Sequence, residues 1–203
     1  MKAQKYLAEL LGTFVLALAV SISLIQGSPL PTAVVAGMTL GLFVYTIGSV
    51  SGAHLNPAVT IALASAKKIS WKDAGWYVLY QLMGGILAMF VSEGLTGREI
   101  GMMDIPMELN VSKTVLVEAV GAFILAFGVS SVVWKKVDDD MSGLVIGGSL
   151  LLGIMLTGGF SFGILNPAVA LGVGLNAVGV AIYFIGPVIG ALGGVWAYRW
   201  LRE

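Results

Sequence analysis

Six stretches of this 203-residue chain are long and apolar enough to cross a lipid bilayer, and that pattern leaves few folds open. A spanning helix needs about 20 mostly apolar residues. The candidates are roughly 5–26, 32–50, 71–93, 112–134, 142–159 and 178–200. They are too long and too continuous for barrel strands, which alternate. Turn signals separate them: Gly27-Ser28-Pro29 with Pro31, Gly94 to Pro106, and Lys135 to Asp140. With 58% hydrophobic and 11% charged residues, the chain cannot clothe a soluble globule in polar surface. The apolar run from Tyr6 to Ile25 exceeds a signal-peptide core and reads as the first span. The expectation is an all-α membrane protein, one domain over residues 1–203 with no soluble appendage.

Two further apolar segments, about 57–66 and 167–175, are too short to span. Ten residues of helix reach ~15 Å, half of the ~30 Å hydrocarbon core. They are re-entrant half-helices or loop residues. Basic residues orient the six spans. Lys2, Lys5, Lys67, Lys68, Lys72, Lys135, Lys136, Arg199 and Arg202 fall on one side, and Arg98 and Lys113 on the other. By the positive-inside rule both termini are cytoplasmic, in a plasma or inner membrane.

The chain also repeats itself. Ala8-Glu9-Leu10-Leu11-Gly12-Thr13-Phe14 pairs with Val117-Glu118-Ala119-Val120-Gly121-Ala122-Phe123, an offset of 109. Leu55-Asn56-Pro57-Ala58-Val59 recurs as Leu165-Asn166-Pro167-Ala168-Val169, an offset of 110. The repeats, approximately 1–100 and 108–203, each hold three spans and one short segment. Three is odd, so the second half is inverted relative to the first. Inverted repeats with interrupted segments at matching positions point to a membrane transport protein, with the site where those segments meet.

Asn is a favoured helix N-cap and Pro suits the first helical position. Asn56-Pro57 and Asn166-Pro167 therefore each start a short helix, and inversion brings the two starts face to face. Each helix N-terminus carries about half a positive charge, so the pair opposes cations and orients water. The Asn amides can donate hydrogen bonds into the space between. Glu9 and Glu118, at matching depths, could accept bonds from the loop N–H groups. An intramembrane carboxylate is a functional candidate, but the equivalence of these two favours a structural brace. His54, the only histidine, reads as a loop or pore-lining hydrogen-bonder. No partner His or Cys accompanies it, so no metal or cofactor is expected.

Other classes recede. Lys plus Arg and Asp plus Glu are 11 each, which argues against nucleic-acid binding. One His, no Cys and no clustered acid–base set argue against an enzyme. Trp71, Trp76, Trp134, Trp196 and Trp200 fit an interfacial belt, and Asp138-Asp139-Asp140 a solvated loop. The paired glycines Gly147-Gly148, Gly158-Gly159 and Gly193-Gly194 mark close helix packing or turns.

Ser51-Gly52-Ala53-His54-Leu55-Asn56-Pro57-Ala58-Val59-Thr60 resembles the first motif of the aquaporin, or major intrinsic protein, family. The resemblance extends to Ala8 through Phe14, to Tyr80-Gln81 with Gly84, and to Gly186-Pro187 with Gly190-Ala191. It implies six tilted helices, two re-entrant half-helices, one pore per subunit and a homotetramer. It also implies an outer selectivity constriction formed by Ala36, Ile154, Gly163 and Val169. Most of the family carries Arg where this chain has Val169. Small aliphatic residues at the first three positions resemble plant members that pass boric acid and related acids. Val at the fourth resembles a vacuolar plant subgroup passing water, urea and peroxide. Glycerol-channel marks are incomplete: Ala170 stands where an Asp is expected, and Tyr183-Phe184-Ile185 lacks the Pro before Gly186-Pro187. Without the Arg the mouth should be wider and more apolar. Width admits larger solutes, whereas an apolar ring can hinder water by dewetting. The reading is a passive channel for water and small uncharged solutes: glycerol, urea and boric-acid-like molecules. The alternatives are a secondary transporter of the same architecture or a non-conducting structural membrane protein.

Overall fold

The computed structural model describes residues 2–97 and 110–203. The helices are α1 (Lys2–Gln26), α2 (Thr32–Ser51), α3 (Pro57–Ser65), α4 (Trp71–Thr96), α5 (Val111–Val133), α6 (Ser142–Thr157), α7 (Pro167–Gly172) and α8 (Ala177–Arg202). A single 3-10 turn, Asp139–Met141, precedes α6. Six of these helices, all but α3 and α7, are long and apolar enough to cross a membrane, α6 taken together with that turn as Asp139–Thr157. Arg98 and the loop residues 98–106 lie outside the described residues, as does the Lys2 side chain.

Local chemistry explains where the helices begin and end. Ser70, Asn110 and Asn176 accept from Asp73, Lys113 and Gly179 N–H at 3.0, 3.0 and 2.9 Å, starting α4, α5 and α8. Each side chain satisfies one of the orphan donors of a first turn. Gly52 and Gly97, at φ 89° and 69°, end α2 and α4 in the left-handed region that glycine tolerates.

The helices pack in matched pairs. α1 lies on α4 and α5 on α8; α2 crosses α6; α3 leans on α8 and α7 on α4. Each half-helix is therefore clamped by a span from the other half of the chain. In lipid, helix association depends on close van der Waals approach rather than on hydrophobic driving force, so small residues mark the contacts. A Cβ at Gly84 would lie 2.6 Å from the Leu10 carbonyl oxygen, and one at Gly37 would lie 2.7 Å from that of Gly147. A Cβ at Gly190 would collide with the Ala119 carbonyl oxygen. The paired glycines divide in role. Gly147 and Gly194 sit at tight crossings, Gly158 caps α6, and a side chain at Gly148 or Gly159 would meet open space. Gly190→Ala should consequently destabilise the α5–α8 pair by the ~1–3 kcal/mol of an overpacked core, whereas Gly148→Ala should be tolerated. Thermal unfolding of the two detergent-solubilised variants checks the contrast.

The outer surface is apolar, with Met38, Leu116 and Met155 each about two-thirds exposed, as expected where lipid is the solvent. In the α5–α6 connection the acidic run is partly neutralised, since Lys135 Nζ lies 2.7 Å from Asp139 Oδ1.

Candidate functional site

α3 and α7 meet head to head. Asn56 adopts extended backbone and its Oδ1 accepts from Ala58 N–H at 2.9 Å, with Pro57 at the first helical position. Asn166 does the same for Ala168 and Val169 N–H, at 3.0 and 3.4 Å. Each amide also reaches across to the other half. Asn56 Nδ2 donates to the Leu165 carbonyl at 3.0 Å, and Asn166 Nδ2 to the Leu55 carbonyl at 2.8 Å. An amide nitrogen carries two hydrogens. One ties the loops together and the second remains for whatever lies between them.

The loops entering the half-helices hold unusual backbone. Ala53, Leu55 and Leu165 lie at φ 47°, 47° and 54°, and Gly163 at 61°. For a residue with a Cβ this costs roughly 1–2 kcal/mol, and it persists only where the surroundings over-determine it. Two fully buried carboxylates do so. Glu9 Oε1 accepts from the Ser51 hydroxyl and His54 N–H at 2.6 and 3.0 Å, and Oε2 from Leu55 N–H and Gln81 Nε2 at 2.7 and 2.8 Å. Glu118 accepts from the Ser161 hydroxyl, Ile164 N–H and Leu165 N–H at 2.6, 3.2 and 2.7 Å.

A cavity of about 610 Å³ passes this junction. Its walls are helix faces read in steps of four, the spacing that stacks side chains on one side of a helix. α2 contributes Thr32, Ala36, Leu40, Val44 and Gly48; α6 contributes Ser142, Ile146, Leu150 and Ile154; α1 adds Leu16, Val20 and Leu24. The α2 stripe from Thr32 to Gly48 advances 16 residue steps, or ~24 Å of rise, most of a ~30 Å hydrocarbon core. Lys135, Asp139 and Asp140 line the end opposite Thr32. Between these ends the wall is chiefly aliphatic. Its polar stations come from His54, Asn56 and Asn166 and from the loop backbone around them.

Ala36, Ile154, Gly163 and Val169 all line the cavity. A Cβ at Gly163 would lie 3.2 Å from Ile154 Cγ2, so those two adjoin. Glu9 and Glu118 are not among the lining residues; they stand behind the loops with no exposed surface. His54 lines the cavity, and its Nδ1 lies 3.1 Å from Thr60 Oγ1. Thr60 Oγ1 also accepts from Gln81 Nε2 at 2.9 Å, so the ring belongs to a polar chain running back to Glu9. No group of three His, Cys, Asp or Glu residues that could hold a metal occurs among the described residues.

Sequence reasoning missed several supporting residues. Ser51 and Ser161 hydroxyls each accept the N–H two residues on, of Ala53 and Gly163, both at 3.0 Å. The Tyr183 hydroxyl accepts from Phe162 N–H at 3.1 Å. Phe162 itself lines the cavity beside Gly163, its ring stacked on Tyr183 at 6.2 Å. The repeat held the signal. Extending the Asn-Pro-Ala register backwards pairs Ser51 with Ser161, and Gly52 with Phe162.

A family model described as "MIP: Major intrinsic protein" matches residues 1–198. The chain is 32% identical over 212 residues to "Aquaporin NIP1-1" of Zea mays, covering 98% of this chain and 75% of that protein. It is 35% identical over 205 residues to "Probable aquaporin NIP7-1" of Arabidopsis thaliana, covering 95% and 74%. To "Nodulin-26" of Glycine max it is 34% identical over 215 residues, covering 98% and 78%. Among solved structures, the aquaglyceroporin from Plasmodium falciparum superposes with a TM-score of 0.78 at 20% identity, covering 100% of this chain and 96% of that one.

Proposed function

The chain belongs to the major intrinsic protein, or aquaporin, family, and from that premise we propose that it is a passive channel for water and small uncharged solutes such as glycerol, urea and boric-acid-like molecules. The observation that carries this reading is the continuous wall of the cavity, from Thr32 at one end to Asp139 and Asp140 at the other, past the paired Asn56 and Asn166. A solute moving along it meets aliphatic side chains on most sides and a few fixed donors at the midpoint. That suits compact neutral molecules with both apolar and hydrogen-bonding faces. Cations meet two half-helix N-termini and two amide donors, and no carboxylate lines the middle of the path.

The buried carboxylates also speak against coupled transport. Proton coupling through a buried carboxylate needs that carboxylate to be reached from the path. Glu9 and Glu118 stand outside the lining and are saturated by loop donors. We assign them to holding the loops, Ala36, Ile154, Gly163 and Val169 to the outer constriction, and His54 to a polar station in the pore. The two repeats act as one channel domain. By the placement of Lys and Arg, both termini face the cytoplasm of a plasma or inner membrane, and the working unit is a homotetramer with one pore per subunit.

Stopped-flow light scattering on proteoliposomes tests the function. Water, glycerol, urea and boric acid should all equilibrate faster than in empty vesicles, with no dependence on a pH or sodium gradient. Uphill accumulation driven by either gradient would establish a transporter instead, and permeability equal to that of empty vesicles a structural protein.

Phe162 adds to the constriction an aromatic ring where the other repeat has Gly52. Phe162→Gly should widen the mouth on that side and raise the glycerol-to-water permeability ratio several-fold, about 1 kcal/mol of steric barrier. Phe162→Tyr should leave the ratio near the parent value in the same vesicle assay.

A further inference from the structure

The ends of α3, α5 and α8 converge on a cluster of cations that the pore does not use. Trp196 Nε1 donates to Ser65 Oγ at 3.0 Å, pinning α8 to the last turn of α3. One turn further along α8, the Arg199 guanidinium lies 4.8 Å from the Trp196 ring centre. Just past α3, the Lys68 ammonium lies 4.1 Å from the ring of Trp134, which ends α5. Trp134 in turn abuts Tyr198 of α8 at 6.1 Å.

This gathering of like charge is incompletely neutralised. Arg199 Nε pairs with Glu203 Oε1 at 3.1 Å. Lys68 and Arg202 have no acidic partner among the described residues. Burial holds the Lys68 ammonium below its ordinary pKa, and the Arg202 and Arg199 charges push it the same way. A bound anion would relieve all three.

The surroundings say which anion. None of these cations lines the pore cavity, so a permeating solute does not reach them. In the same last turn of α8 as Arg202, Trp200 and Leu201 are 75% and 64% exposed, so apolar surface flanks the end of this membrane-spanning helix. Tryptophan at that level marks the lipid headgroup region. A guanidinium fork matches a phosphate's oxygens, and basic pockets between spanning helices hold lipid headgroups.

We propose that Lys68 over Trp134, Arg199 over Trp196, and Arg202 on the same face of α8 as Arg199 form a site for the phosphate of an anionic phospholipid. The aromatic rings fix two of the cations at headgroup depth, and Trp200 and Leu201 receive the acyl chains.

The test is tryptophan quenching in the full-length protein by brominated phosphatidylglycerol, diluted into phosphatidylcholine bilayers. The parent should be quenched as though the anionic lipid were enriched around it. Enrichment should fall by more than about ten-fold in Lys68→Gln/Arg202→Gln, at roughly five-fold per cation. Lys72→Gln/Lys136→Gln removes the same charge from elsewhere and should leave enrichment at the parent level. Arg202→Gln alone, in the exposed last turn of α8, should cost about five-fold and covers the case in which the double variant does not fold. Equal enrichment in parent and Arg202→Gln overturns the assignment, as does an equal loss in the two double variants. Displacement of the brominated lipid by inorganic phosphate would mark a site for a soluble anion and overturn it too.

Discussion

Glu9→Ala is expected to yield little or no folded protein, and Glu118→Ala to be severely but less completely impaired. Each change strands buried donors. Without Glu9, His54 and Leu55 N–H, the Ser51 hydroxyl and Gln81 Nε2 lose their acceptor. Without Glu118 the loss is Ile164 and Leu165 N–H and the Ser161 hydroxyl. A stranded buried donor costs ~1–3 kcal/mol. The hydroxyls can turn to other acceptors, but the backbone groups cannot. Two or more such losses approach the ~5–15 kcal/mol that separates folded from unfolded chains. The left-handed Leu55 and Leu165 would also lose what holds them. Gln retains an acceptor oxygen, so Glu9→Gln and Glu118→Gln should be milder than the alanine variants. Size-exclusion profiles and thermal unfolding in detergent measure the order. A Glu9→Gln protein that folds normally yet conducts nothing would overturn the bracing role, because its only loss would then be function.

Val169→Arg is expected to lower the glycerol-to-water permeability ratio about ten-fold, equivalent to ~1.4 kcal/mol of added barrier for the larger solute. Val169 is the third residue of α7, in its first turn, and shares the cavity wall with Ala36, Ile154 and Gly163. Valine offers neither charge nor donor. Arg would bring a long side chain carrying five donors and a permanent charge into that space. Room for it exists because Ala36 and Gly163 are small, and Gly163 cannot readily enlarge: its φ is 61°, and a Cβ there would crowd Gly158 and Ile154. Water is small enough to pass the narrowed mouth, and its flux should hold or rise as the ring becomes wettable. Stopped-flow measurements on vesicles, with size-exclusion to verify an intact assembly, test this. A well-folded variant with an unchanged ratio would remove Val169 from the constriction.

What could be read without coordinates were the features set by short-range or bulk physics. The six spans follow from run length and apolarity, because the bilayer demands both, and they appear as α1, α2, α4, α5, α6 and α8. The starts of α3 and α7 follow from Asn-Pro, because an N-cap is a contact within three residues. The span ends shifted by a few residues, as α4 and α8 run on to Thr96 and Arg202, since polar end residues leave a hydropathy window before they leave a helix.

Residues that meet only when helices pack left no such mark. Nothing in the spacing of Asn56 and Leu165 announces that one amide bonds the other's loop across 109 positions. Nothing local shows that Phe162 stacks on Tyr183, or that Lys68 lies over the ring of Trp134. The doubled glycines looked alike in sequence, yet Gly147 meets a carbonyl and Gly148 meets nothing. By itself the sequence determined that the chain spans a membrane in six helices and where its half-helices begin, because lipid and the peptide backbone impose those terms on any chain. Tertiary structure alone decided which faces line the cavity, which N–H groups the carboxylates hold and which cations come together, because each depends on the relative rotation and crossing of helices distant in sequence.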